Sequence, residues 1–266
     1  MTNAILVQEQ HLPGATVLEK WEAASAWGFD GIELRSAGEG RFAARLGELR
    51  AAAAAGVPMP TACVEMPHFI GAFDAELRED AIAQLLEQLR VMAELGGRGV
   101  MTPASWGMFS RRLPPFEPPR SSEADRAVLL DALGRLGEAA AGLGVCVFLE
   151  PLNRYEDHMV NRLADAGSLI RELGLGSVRI AADSYHMNIE ESDPARALLE
   201  AAEYVGHVQA SDSNRLEPGA GHLDWSLFLA TIGAIGYRGP IAVESRLSGP
   251  AERVLPAVPP FLRSRL

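Results

Sequence analysis

The sequence predicts an α/β protein folded as a single (β/α)8 TIM barrel over residues 1–266. Three observations predict it. Short, β-branched apolar segments alternate with longer Ala-, Leu- and Glu-rich ones from end to end. Eight such steps share 266 residues, about 33 each, and a closed parallel barrel typically takes ~250 residues. Acidic residues stand at the ends of several apolar segments, where such barrels keep their active sites. An open, doubly wound sheet would alternate in the same way and is the structural alternative.

Strands are expected at 4–7, 31–34, 61–64, 99–101, 145–150, 178–182, 205–210 and 241–244, each a short apolar run. Helices are expected near 16–27, 41–55, 75–95, 121–143, 163–173, 192–203 and 224–234, where apolar residues recur every three or four positions. Leu85, Leu86, Leu89, Val91, Met92 and Leu95 mark one such apolar flank. Gly28, Gly96, Gly144, Gly174 and Gly236 sit where a helix must stop before the next strand. The proline-rich stretch 113–120 reads as a long loop after the fourth strand, and no linker divides the chain.

The totals remove some function classes. The formal net charge is −11, and no Lys/Arg run exceeds Arg111–Arg112, so a nucleic-acid partner is not expected. Hydrophobic residues make up 48% and charged ones 22%, enough for a real core. Only Cys63 and Cys146 are present, each beside a valine, which suits buried free thiols in a reducing compartment. Neither a signal-peptide layout nor an apolar run of membrane-spanning length is present, so a cytoplasmic protein without a membrane partner is expected. Homo-oligomerisation stays open.

The acids at the strand ends carry the functional reading. The run 145–149 leads into Glu150, 178–182 into Asp183, 241–243 into Glu244, and Gly31–Ile32 into Glu33. Side chains alternate along a strand. If Val147, Leu149, Ile180, Val243 and Ile32 face the helices, then Glu150, Asp183, Glu244 and Glu33 face the barrel axis. The same parity turns His207 and Gln209 inward and Val208 and Ala210 outward. Acids converging at one mouth must keep protons or share a cation. Oxygens from Glu150, Asp183, Gln209 and Glu244 suit one hard divalent ion, Mn2+ or Mg2+. An isolated strand-end acid more often pairs with a neighbouring arginine, and Glu33, two residues before Arg35, is expected to do so.

Longer stretches are recognisable. Glu150–Pro–Leu–Asn–Arg–Tyr–Glu156, Asp183–Ser–Tyr–His186, His207–Val–Gln209 with Arg215, and Val243–Glu244 together resemble the ketose 3-epimerases of the xylose isomerase-like barrels. The resemblance implies metal ligands at Glu150, Asp183, Gln209 and Glu244, with Glu150 and Glu244 also the acid/base pair. It implies that Glu156, His186 and Arg215 hold the carbonyl end of a sugar or polyol substrate. The reaction implied moves a proton α to a carbonyl through an enediolate that a metal stabilises. Where those epimerases usually carry His–x–His, this chain has His207–Val208–Gln209. The amide oxygen strengthens the likeness to hydroxypyruvate isomerases and favours Mn2+ or Mg2+ over Zn2+.

Trp106, after the fourth strand, is a candidate wall for the sugar, and Arg246, two residues beyond Glu244, a candidate anchor for an anionic group. Glu65 and His68 are candidate lining residues whose ordinary fate is solvation. His207 is expected to be a packed, hydrogen-bonded barrel histidine. No organic cofactor is expected. A metal-dependent dehydratase of a cyclic polyol (inosose or dehydroshikimate type) is the alternative, since it needs the same proton abstraction. An apurinic endonuclease ranks lower, because its metal cluster draws on many histidines and this acidic chain has six.

Overall fold

The computed structural model describes residues 3–107 and 118–266. Arg111, Arg112 and the proline-rich stretch as far as residue 117 lie outside the described residues. The strands are β1 (Ile5–Gln8), β2 (Gly31–Ala37), β3 (Thr61–Glu65), β4 (Gly99–Pro103), β5 (Cys146–Glu150), β6 (Val178–Asp183), β7 (Val205–Ala210) and β8 (Ile241–Val243). Each pairs in parallel with the next, and β1 also pairs with β8, Val7 opposite Val243. That last pairing closes the barrel and removes the open-sheet alternative.

The helices are α1 (Val17–Ala26), α2 (Arg41–Ala44), α3 (Leu46–Ala54), α4 (Ala75–Glu94), α5 (Ser122–Leu143), α6 (Leu163–Leu173), α7 (Ser184–Glu190), α8 (Pro194–Glu200), α9 (Trp225–Ala234), α10 (Ala251–Val254) and α11 (Val258–Arg263). Local chemistry sets their ends. Thr16 and Glu19 form a reciprocal capping box on α1, and the Asp74 carboxylate caps α4. Left-handed Gly144 and Gly174 close α5 and α6. The stretch expected as one helix at 41–55 breaks at Arg45 into α2 and α3. Helices α7, α10 and α11 were not expected from the sequence. Each has seven residues or fewer, too short for a 3.6-residue period to register.

Alternation along the strands sorts two cores. Val147, Leu149, Ile180, Val208, Val243 and Ile32 join the large apolar layer between sheet and helices. Phe148, Met101 and Ala181, with Cys63 and Cys146 against them, form a separate plug inside the barrel. This is the predicted parity, and it lifts the next inward side chains toward the carboxyl ends of the strands. Where β4 begins, Gly99 holds φ 155°, and a Cβ there would lie 2.0 Å from the Cys146 carbonyl oxygen. Only glycine lets β4 approach β5 so closely. Both thiols are free. Burial, and then the nearby Glu244 charge, pushes the Cys63 thiol well above its ordinary range, so it is an inert thiol.

Candidate active site

Above the apolar plug lies a buried polar layer centred on Glu33. Its Oε1 accepts from Thr61 Oγ1 at 2.9 Å and meets His207 Nε2 at 2.7 Å. Its Oε2 accepts from Gln8 Nε2 and Gln209 Nε2, both at 3.1 Å. Burial opposes ionisation of Glu33, but the His207 charge and these hydrogen bonds outweigh it and hold the carboxyl below its ordinary value. The expected Glu33–Arg35 pair does not form. Arg35 points higher up the mouth and bonds Glu65 at 2.8 Å. The Phe148 ring supports His207 from below, centroids 5.4 Å apart, so His207 is the packed barrel histidine expected.

The next layer holds the acids. Asp183 ends β6 and also caps α7, its Oδ1 accepting from the Tyr185 and His186 amides at 2.7 and 3.1 Å. Its Oδ2 accepts from Arg215 Nη1 at 2.7 Å, and Arg215 Nη2 reaches Glu244 Oε1 at 3.2 Å. Arg215 takes φ 62°, unusual for a side chain with a Cβ. The turn is pinned from both sides: the Arg215 amide donates to the Asp212 carbonyl, and its own carbonyl accepts from the Arg246 amide. The guanidinium also lies 4.9 Å over the Tyr185 ring.

One arginine does not neutralise three acids. Burial, then the charges of Glu244 and Asp183, push the Glu150 carboxyl well above its ordinary value. Burial likewise raises Glu244, to about 7, although Arg215 opposes the shift. Among these inward side chains, three buried acceptor oxygens have no hydrogen-bond partner in the described residues: Glu150 Oε1, Gln209 Oε1 and Glu244 Oε2. Orphaned acceptors are costly unless a cation or a ligand donor meets them.

Glu150, Asp183 and His186 bring ligand atoms within 4.8 Å of one another, a buried set of the kind that holds a divalent cation. The hydrogen bonds of His186 qualify its part. Its Nδ1 accepts from the Asn153 amide at 3.0 Å, which places the ring proton on Nε2, 3.6 Å from Glu150 Oε1. Burial holds the ring neutral, its pKa lowered to about 4. The nitrogen facing the acids is therefore a donor, and proximity alone overstates His186 as a ligand. The orphaned Gln209 and Glu244 oxygens fit a hard cation better.

A cavity of about 810 Å3 opens above these groups. Glu150, Glu156, His186, Arg215, Glu244, Trp106 and Arg246 all line it. Glu156 is held on two sides, by Asn153 Nδ2 at 2.8 Å and Trp106 Nε1 at 3.0 Å. Trp106 stays 58% exposed, a ring at the lip rather than a packed core residue. The Arg246 side chain is exposed at the rim. Glu65 lines the cavity, whereas His68 turns away to Asp80 at 2.5 Å.

Comparison with known proteins gives this site its context. The model of the xylose isomerase-like TIM barrel matches residues 21–265. The chain belongs to the xylose isomerase-like TIM barrel family. It is 41% identical over 242 residues to 3-dehydro-D-guloside 4-epimerase of Escherichia coli K12, covering 90% of this chain and 91% of that one. The crystal structure of an E. coli 3-keto-D-glucoside 4-epimerase in its apo form superposes with a TM-score of 0.92 at 38% identity, covering 99% of this chain and 100% of that one. Ketose 3-epimerase of Arthrobacter globiformis is more distant, 35% identical over 65% of this chain and 60% of its own length. Within the xylose isomerase-like barrels this chain is thus a sugar epimerase, and the dehydratase and endonuclease alternatives fall away.

Sequence reasoning about this xylose isomerase-like barrel passed over Gln8, Asn153 and Tyr185. Asn153 lies inside the stretch that carried the resemblance, yet an asparagine in a Pro–Leu–Asn–Arg turn reads as turn chemistry. Gln8 ends β1 with the inward parity, one residue beyond the expected end of that strand at residue 7. No helix among the described residues is long and apolar enough to cross a membrane.

Proposed function

We propose that this epimerase inverts C4 of a 3-oxo-glycoside, moving the proton between Glu150 and Glu244 beside one divalent cation. The observation that carries the reading is the pair of buried, unpartnered oxygens, Glu150 Oε1 and Glu244 Oε2, on two carboxyls whose proton affinity is raised. The relatives' names support the position. An oxo group at C3 erases one stereocentre, so a 3-dehydro-guloside and a 3-keto-glucoside differ only at C4. The C4 proton is α to that ketone.

Glu150, Asp183, Gln209 and Glu244 would hold the cation, and their all-oxygen set favours Mn2+ or Mg2+ over Zn2+. Bound there, the ion supplies Lewis-acid polarisation of the ketone, which makes the adjacent C–H acidic. One glutamate, ionised, takes the C4 proton, and the other, protonated, returns one to the opposite face. Without the cation, burial raises both carboxyls, Glu244 to about 7, and a raised proton affinity suits a group that must both take and return a proton. His186 donates its Nε2 proton, and Arg215 its positive charge, to oxygens at the carbonyl end. Glu156, oriented by Asn153 and Trp106, accepts from a sugar hydroxyl.

Each turnover leaves the proton on the other glutamate, and exchange with water resets the pair. A 3-oxo-glucoside incubated in D2O with Mn2+ should therefore gain deuterium at C4, read by NMR, as the C4 epimer appears. Glu150→Gln and Glu244→Gln should each lower epimerisation by roughly a hundredfold or more. Near-parent turnover in both variants, or deuterium at a carbon other than C4, would refute the proposal.

A further inference from the structure

We infer that Glu33 is a positioning residue that aims the Gln209 carbonyl oxygen into the acidic site. This rests on the reading of Gln209 as a metal ligand. A glutamine side chain has a donor end and an acceptor end of nearly the same shape, and what lies beneath decides which faces a cavity. Beneath Gln209 lies a carboxylate, which only accepts. Glu33 Oε2 takes the Gln209 Nε2 hydrogen at 3.1 Å, and both residues are fully buried. Reversing the amide would set its carbonyl oxygen against Glu33 Oε2 with no proton between them. The donor end is therefore held on Glu33, and Oε1 is left buried without a partner.

The tie spans the barrel. Glu33 sits on β2 and Gln209 on β7, strands separated by β1 and β8. Glu33 is itself immobilised, because Thr61, His207 and Gln8 satisfy the rest of its acceptor capacity. The same carboxylate orders Gln8, whose Nε2 donates to Glu33 Oε2 at 3.1 Å. An amide replacing imidazole between two strands of ligands thus needs an obligate acceptor below it, and Glu33 is that acceptor. Outer partners of this kind change metal affinity by about 10- to 100-fold.

The test is Mn2+ affinity by titration calorimetry, with circular dichroism to verify folding. Glu33→Gln gives Gln209 a neighbour that can donate, so the amide is free to turn, and Kd should rise about tenfold or more. Glu33→Asp keeps the charge but withdraws it from Gln209, and should also weaken binding. On a Gln209→Glu background both ends of residue 209 are acceptors, so Glu33→Gln should cost no affinity there. Unchanged affinity in E33Q or E33D, or an equal loss from E33Q on both backgrounds, would overturn the inference in favour of a simple charge effect. Should the Glu33 variants not fold, the parent protein still decides. Its Gln209 side-chain NH2 must stay protected from solvent exchange when Mg2+ is added, and loss of that protection overturns the inference. A parent protein that binds no Mn2+ refutes the metal reading itself, and this inference with it.

Discussion

Replacing Glu244 by Gln should change how the stability of the metal-free protein depends on pH. Burial and the neighbouring Asp183 and Glu33 charges lift the Glu244 carboxyl from an ordinary 4.5 to about 7, against the pull of Arg215. Between those values the folded protein holds a proton that the unfolded chain has released. Stability from this group therefore falls as pH rises through the window, and the loss is complete above it. At 1.36 kcal/mol per pH unit the Glu244 share is about 3 kcal/mol. Glu150 acts in the same direction. His186, held neutral with its pKa near 4, acts in the opposite one, because the unfolded chain protonates it below its ordinary 6.5. The parent curve alone mixes these slopes, whereas the difference between E244Q and parent carries the Glu244 share together with the part of the Glu150 shift that the Glu244 charge causes, both of the same sign. Urea unfolding of chelator-treated proteins at pH 4.5, 5.5, 6.5 and 7.5 should show E244Q gaining on the parent by about 3 kcal/mol from the lowest to the highest pH. A difference that stays flat within about 0.5 kcal/mol, or that runs the other way, would refute the reasoning.

Other perturbations follow from the same geometry. Gly99→Ala puts a Cβ 2.0 Å from the Cys146 carbonyl oxygen at a backbone angle reserved for glycine. It should cost more than about 4 kcal/mol in urea unfolding, and a near-parent midpoint would show that β4 can shift. Gln209→His should raise affinity for Zn2+ or Co2+ relative to Mg2+ in competitive titrations, since imidazole is the softer donor. An unchanged order of metals would remove residue 209 from the coordination sphere. Trp106→Phe keeps a ring at the lip but deletes the N–H that holds Glu156 at 3.0 Å. The loss of about 1 kcal/mol should appear as a roughly fivefold rise in KM with kcat retained, and equal losses in both would place Glu156 in the chemical step instead.

Much of this architecture is legible without coordinates, because alternation along a strand is a local property. Val147 and Leu149 facing the helices is enough to turn Phe148 and Glu150 inward, and the same count places Asp183, His207, Gln209 and Glu244. Glycines at helix ends and capping residues likewise act over a few positions. What escaped was either too short for a period, as with α7, or non-local. Arg35 shares β2 with Glu33 and was its expected partner, yet two residues along a strand move a side chain about 7 Å up the barrel. The partner that Glu33 does find, His207, is 174 residues away and arrives by closure of the sheet.

The sequence by itself determined which side chains face the barrel interior and in what order the acids ring its mouth, and its resemblance to the ketose 3-epimerases pointed to the class of reaction. Only the tertiary structure decided what each of those groups can do. That the His186 nitrogen facing the acids is a donor follows from an amide on the β5–α6 loop. That the Gln209 amide spends its donor end on a carboxylate follows from Glu33 across the barrel, and the raised Glu244 carboxyl from burial beside charges on β2 and β6. Hydrogen-bond direction and proton affinity depend on distances of a few ångströms between residues remote in the chain. Those distances exist only once the eight strands have closed.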